Sequence, residues 1–122
     1  VAELTFIYHI ASAPDWEKAQ RDGEYRTSTR GRTLDEQGFI HAGDAHQVAP
    51  VANAVYKDDR DLVVLVIDTG RLRPEVRYDP VPGWNDPFPH IYGALNPDAV
   101  VKVVPLGRAD DGRFIFTAPK VG

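Results

Sequence analysis

Six consecutive apolar residues, Leu62-Val63-Val64-Leu65-Val66-Ile67, constrain this chain more than any other stretch. The run is apolar on both faces and stops at Thr69-Gly70, so it predicts a central strand of a sheet. Further strands are expected at Leu4–Ile10, Glu75–Asp79, Val100–Val104 and Arg113–Thr117, the last two separated by a turn at Asp110-Asp111-Gly112. In the first of these, Leu4, Phe6, Tyr8 and Ile10 share one face while Thr5, Ile7 and His9 share the other.

Helix signals cluster early. Ser12-Ala13-Pro14-Asp15 matches a capping box, followed by Trp16, Ala19 and Gln20 at helical spacing until Gly23. Thr33-Leu34-Asp35-Glu36 is a second capping box, with Gly38 as a left-handed stop. Asp44 caps a third helix whose apolar stripe is Val48, Val51, Ala52 and Val55, with Pro50 inside it to kink or delay it. The polar stretch from Glu24 to Arg32 reads as an exposed loop around Tyr25. Pro80 to Pro89 reads as a stiffened irregular loop with aromatic anchors, of the kind that covers a site. Short helices early and strands late predict α+β, two small, mostly antiparallel or mixed sheets with two or three short helices, in one domain spanning residues 1–122.

Composition narrows the chemistry. At 122 residues the chain can bury about 65% of its unfolded surface without a staple. With no cysteine, any nucleophile or metal ligand must be an oxygen or an imidazole. A net charge of −4 gives no general attraction to a phosphate backbone, so nucleic acid is an unlikely main partner. No apolar run is long enough to span a bilayer and no signal-peptide pattern opens the sequence, which makes the cytoplasm the expected location.

Three of the four histidines sit in loaded settings: His9 in the first strand, His41 in Gly38-Phe39-Ile40-His41-Ala42-Gly43, and His90 after the proline-rich loop. They are expected to converge on one site, as neutral hydrogen-bonding groups and general bases with an ordinary pKa near ~6.5. Three imidazoles with an open fourth position are also a metal site, although no H-E-x-x-H or paired-histidine helix is present. His46, in a first helical turn, reads as a surface residue. No G-x-S-x-G, G-x-G-x-x-G or Walker-type motif occurs.

Ile7-Tyr8-His9-Ile10-Ala11, Trp16, Gly23-Glu24-Tyr25, Gly38 to Ala42 and Phe88-Pro89-His90-Ile91-Tyr92-Gly93-Ala94-Leu95 resemble the bacterial domain-of-unknown-function family 952, over about residues 4 to 105. That family has no established activity, and its fold is grouped with the ADP-ribosyltransferase-like superfamily, whose members bind NAD between two sheets. The resemblance implies that His9 holds a ribose, with Tyr25 and Phe39 as further cofactor contacts. It also implies that His41, His90, Tyr92 and Asp79 surround the reacting end. The superfamily's late-strand Glu has no evident counterpart, only Glu75 and Asp79 before the proline-rich loop. Relatives that remove an RNA 2'-phosphate with His and Arg groups make Arg26, Arg30 and Arg32 candidate phosphate ligands. The expected function is an NAD- or nucleotide-using transferase or hydrolase; the alternative is a non-catalytic binding module with a degenerate cleft.

Overall fold

The computed structural model describes residues 5–121, so Leu4, the first residue of the predicted N-terminal strand, lies outside them. In chain order the elements are β1 (Phe6–Ser12), α1 (Ala13–Asp22), β2 (Thr27–Thr29), β3 (Arg32–Thr33), α2 (Leu34–Gln37), β4 (Ile40–His41) and α3 (Ala45–Val55). They continue with β5 (Leu62–Asp68), β6 (Glu75–Asp79), β7 (Phe88–Tyr92), a 3-10 turn (Pro97–Ala99), β8 (Val100–Pro105), β9 (Gly107–Arg108) and β10 (Phe114–Ile115). The class is α+β, with small antiparallel sheets and three α-helices.

The first sheet has the order β1-β5-β8, and β5 lies in its middle as its two apolar faces require. Ile7, Ala11, Leu65 and Ile67 bury one face against Tyr25, Ile40, Ile91 and Leu95. Tyr8, Ile10, Val64 and Val66 bury the other against Val48, Ala52, Tyr56 and Phe114. The second sheet has the order β4-β7-β6. The two sheets are joined where Tyr8 and Gly43 exchange backbone hydrogen bonds, both 2.8 Å. α3 begins two residues beyond Gly43, so the pairing stops there and the strands part.

Local chemistry sets the helix ends. Ser12 accepts from the Asp15 amide at 3.2 Å to open α1. Thr33 and Glu36 form a reciprocal capping box around α2, and Gly38 closes it at φ 85°, a conformation that disfavours any residue with a Cβ. Asp44 caps α3, with Gln47 Oε1 accepting from the Asp44 amide at 2.8 Å. Pro50 lies inside α3, which runs on to Val55. Of the predicted stripe, Val48 and Ala52 are buried whereas Val55 is 44% exposed.

Three expectations are corrected. Glu24 to Arg32 is no exposed loop: it holds the β2–β3 ladder, and Tyr25 and Ser28 are buried. The cause is tertiary, because Tyr25 exchanges backbone hydrogen bonds with Leu95 at 2.9 and 3.0 Å and so turns its ring into the core. The proline-rich loop ends earlier than expected, since Phe88 and Pro89 already belong to β7. Pro89 is tolerated because its backbone groups face the β4 side just past the end of that strand. There its carbonyl accepts from the Ala42 amide at 3.1 Å. The last strand shrinks to Phe114–Ile115, paired with Gly107–Arg108 across the predicted turn. Among the described residues, no helix is long and apolar enough to cross a membrane.

Candidate functional site

Register decides which side chains meet on the second sheet. In β7, Ile91 faces the core, together with Ile40 of β4 and Val76 of β6. Strand alternation therefore sends Phe88, His90 and Tyr92 to the opposite face. His90 lies across from His41 on one side and from Arg77 on the other, and Asp79 lies across from Phe88. A polar and aromatic face results.

His90 is its centre. Its ring stacks on Phe39, with centroids 4.0 Å apart and planes 15° apart, and His41 meets it edge-on at 5.1 Å. The Nδ1–H of His90 donates to Asp79 Oδ2 at 2.8 Å, and the Tyr92 hydroxyl donates to the same oxygen. These two bonds, the Tyr92 hydroxyl first, hold the Asp79 carboxyl below its ordinary pKa, and Asp79 in turn raises that of Tyr92. Arg77 lies over the Tyr92 ring, 4.7 Å from its centroid. Nε2 of His90 is buried, with no hydrogen-bond partner among the described residues.

His41 is half-buried, and burial first, then the neighbouring His90, depresses its pKa to about 4. Its Nε2 lies 3.3 Å from Gln37 Oε1. His9 is committed on both sides: Nδ1–H donates to the His41 carbonyl and Nε2 accepts from the Tyr25 hydroxyl at 2.8 Å. Burial holds it neutral, with a pKa lowered to about 4.

A cleft of about 260 Å³ opens beside this face, between α3 and the loop of residues 80–87. His41 and Phe88 belong to both the sheet face and the cleft wall. The rest of the wall is mainly Tyr8, Ile10, Val48, Val51, Tyr56 and Trp84, and among the described residues no Lys, Arg, Asp or Glu lines it. The loop is tied down at two points, and the end of β6 that leads into it at a third. Gln47 Nε2 donates to the Pro87 carbonyl at 3.0 Å, His46 lies 3.2 Å from Asp86, and Tyr78 donates to Asp44 at 2.8 Å.

The structure thus gathers Phe39, His41, Asp79, His90 and Tyr92 around one spot. His9 and Tyr25, the other expected cofactor contacts, are 2% and 1% exposed and hydrogen-bond each other, and His9 also lines the cleft. Both ring nitrogens of His9 are engaged within the protein, one by the His41 backbone and one by Tyr25. The three imidazoles are neighbours but do not aim at a common point, and among the described residues no group of three or more His, Asp or Glu is placed to hold a metal ion. The three-histidine metal alternative is corrected accordingly. Arg26 is paired with Glu24 and Asp35, and Arg30 with Asp59, so their charge is neutralised locally. His46 is exposed, as expected. Sequence reasoning missed Tyr56 and Gln47 as wall residues; Trp84 carried a signal, as an aromatic anchor in the proline-rich loop.

Comparison with known proteins agrees with this picture at the level of fold. The model of a family described as "Protein of unknown function (DUF952)" matches residues 10–103. A crystal structure of protein CC0527 from Caulobacter crescentus is 26% identical with a TM-score of 0.78, over 91% of this chain and 94% of that one. A double mutant of the same protein is 25% identical with a TM-score of 0.77 over the same shares. Its solution NMR structure is 26% identical with a TM-score of 0.72, over 88% and 90%. No curated protein matches.

Proposed function

The chain belongs to the DUF952 family of proteins of unknown function, and from its site we propose a transferase or hydrolase acting on a small nucleotide-class ligand in the cytoplasm. The observation that carries this reading is His90, whose Nδ1–H is held by Asp79 while its buried Nε2 has no partner. Fixing one nitrogen as donor leaves the other as a lone-pair acceptor, which is the arrangement of a general base oriented by a carboxylate. A hydroxyl or water brought to Nε2 would pass its proton there, and the Asp79 carboxylate would stabilise the imidazolium that forms. Tyr92 donates to the same carboxylate oxygen and helps hold it in place.

NAD, the cofactor that the resemblance implies, fits this cleft in part. Tyr8, Trp84 and Phe88 suit a flat ring, but the wall offers no Lys or Arg for a diphosphate, which would have to lie outside it. An RNA 2'-phosphate is less well supported, because Arg26 and Arg30 already hold carboxylates. The test is a thermal-shift series with NAD, NADP, ADP-ribose and nicotinamide, with nicotinamide release followed in the NAD samples. A ligand at 100 times its Kd adds roughly 2.7 kcal/mol, a shift of several degrees. A shift with release is the expected result; no shift with any of them removes the nucleotide.

The second reading, a binding module without chemistry, is favoured by one observation. Glu75, a candidate for the missing carboxylate, is exposed and paired with Arg77 at 2.8 Å.

A further inference from the structure

We propose that the cleft selects a permanently cationic nitrogen group, a methylated ammonium or an N-alkylated heteroaromatic ring, rather than an anionic or neutral one. The inference rests on the reading of this cleft as the ligand site, and it does not depend on the chemistry of His90.

Four aromatic rings reach the wall from four different elements: Tyr8 from β1, Tyr56 at the end of α3, Trp84 from the loop and Phe88 from β7. Trp84 stands perpendicular to Phe88, with centroids 5.4 Å apart, and keeps 37% of its surface exposed, so a ligand can reach its face. Aromatic faces attract cations through the ring quadrupole, and the attraction grows when the cation is desolvated.

The polar groups of the wall discriminate against the other charge. Gln47 is engaged at both ends, by the Asp44 amide and the Pro87 carbonyl, and the Tyr56 hydroxyl is engaged by Thr29 at 3.0 Å. A phosphate or carboxylate would therefore enter without a counterion and with few open donors, at the full cost of desolvating its charge. The nearest guanidinium past Tyr56, Arg30, is held by Asp59 at 3.1 Å. At the opposite end the Asp44 carboxylate accepts from Tyr78 at 2.8 Å, and burial first, then this carboxylate, raises the pKa of the Tyr8 hydroxyl.

The same scarcity of open acceptors disfavours a primary ammonium, whose three N–H donors would lose their water bonds. A quaternary nitrogen has no N–H to satisfy and sheds its hydration more easily. The wall matches that one class.

The experiment is calorimetric titration of the intact protein with choline, with N-methylpyridinium, with ethanolamine and with 3,3-dimethylbutan-1-ol, the uncharged isostere of choline. Choline or N-methylpyridinium should bind about tenfold or more tightly than the isostere and than ethanolamine. Trp84→Ala should abolish that preference, and Trp84→Phe should retain most of it; an unchanged thermal midpoint establishes that both variants are folded. Equal binding of choline and its isostere overturns the proposal while leaving the cleft as a ligand site. No binding of either cation at millimolar concentration overturns it too, as does a Trp84→Ala variant that keeps the preference.

Discussion

The hydroxyl of Tyr25 donates to Nε2 of His9 over 2.8 Å, deep beneath the face that carries His41 and His90. The other nitrogen of His9 donates to the His41 carbonyl, so the imidazole stands in for the backbone pairing that β1 and β4 lose after Tyr8 and Gly43. A buried aromatic hydroxyl thereby positions a strand two residues long.

Replacing Tyr25 by Phe tests this link. It leaves His9 Nε2 buried without a donor, at a cost of roughly 1–3 kcal/mol, or a fall of several degrees in thermal midpoint. Urea unfolding of the two proteins measures it. An unchanged midpoint would mean that the bond contributes nothing.

Acid should weaken the fold before its carboxylates titrate. The folded-state pKa of His9 and of His41 is lowered from 6.5 to about 4, so between those values the unfolded chain binds protons that the folded chain does not. Stability from this source is complete above about pH 6.5 and falls as the pH drops towards 4, by about 3 kcal/mol for the fully buried His9. Asp79 has the opposite kind of shift, a depressed carboxylate, and its contribution is lost only as the pH falls below its ordinary 3.8. Denaturant midpoints at pH 7.5, 5.5 and 4.5 should decrease in that order; a flat profile over this range would contradict the neutral buried imidazoles.

Asp79→Asn keeps the shape of the His90 contact and removes its charge. Nicotinamide release, or whatever turnover the ligand series reveals, should fall roughly 100-fold or more, because the imidazolium loses its stabilising carboxylate. The thermal midpoint should change little, since Asp79 lies near the surface with its side chain 31% exposed. Full activity in the variant would remove His90 from the role of base.

Gln47→Ala cuts two ties at once, to the Asp44 amide and to the Pro87 carbonyl. Loss of the first weakens the α3 cap by about 1 kcal/mol. Loss of the second should free the loop, so hydrogen exchange at residues 81–88 should rise well above that in β5. Equal exchange in parent and variant would show that the Gln47–Pro87 bond does not hold the loop.

Much of the scaffold was legible because local chemistry determines it: the Ser12 and Thr33 caps, the Gly23 and Gly38 stops, and the two-faced run of β5. The convergence of His41 and His90 was expected from the settings of the two residues, whereas strand alternation alone did not say which face His41 takes. What was hidden depended on pairing. Tyr25 sits between polar neighbours and looks solvated until Leu95, seventy residues on, is seen beside it. Pro89 disguised the start of β7, since only its position past the end of β4 makes a proline harmless there. The Asp79–His90 bond needs the β6–β7 register, which a ten-residue stretch rich in proline does not announce.

The strands of the two sheets are interleaved along the chain: β1, β5 and β8 build one, while β4, β6 and β7 build the other. No single cut of the gene can separate them, and neither sheet can be inherited, expressed or exchanged as a contiguous cassette. Nascent chain leaving the ribosome therefore cannot complete the first sheet until β8 has emerged.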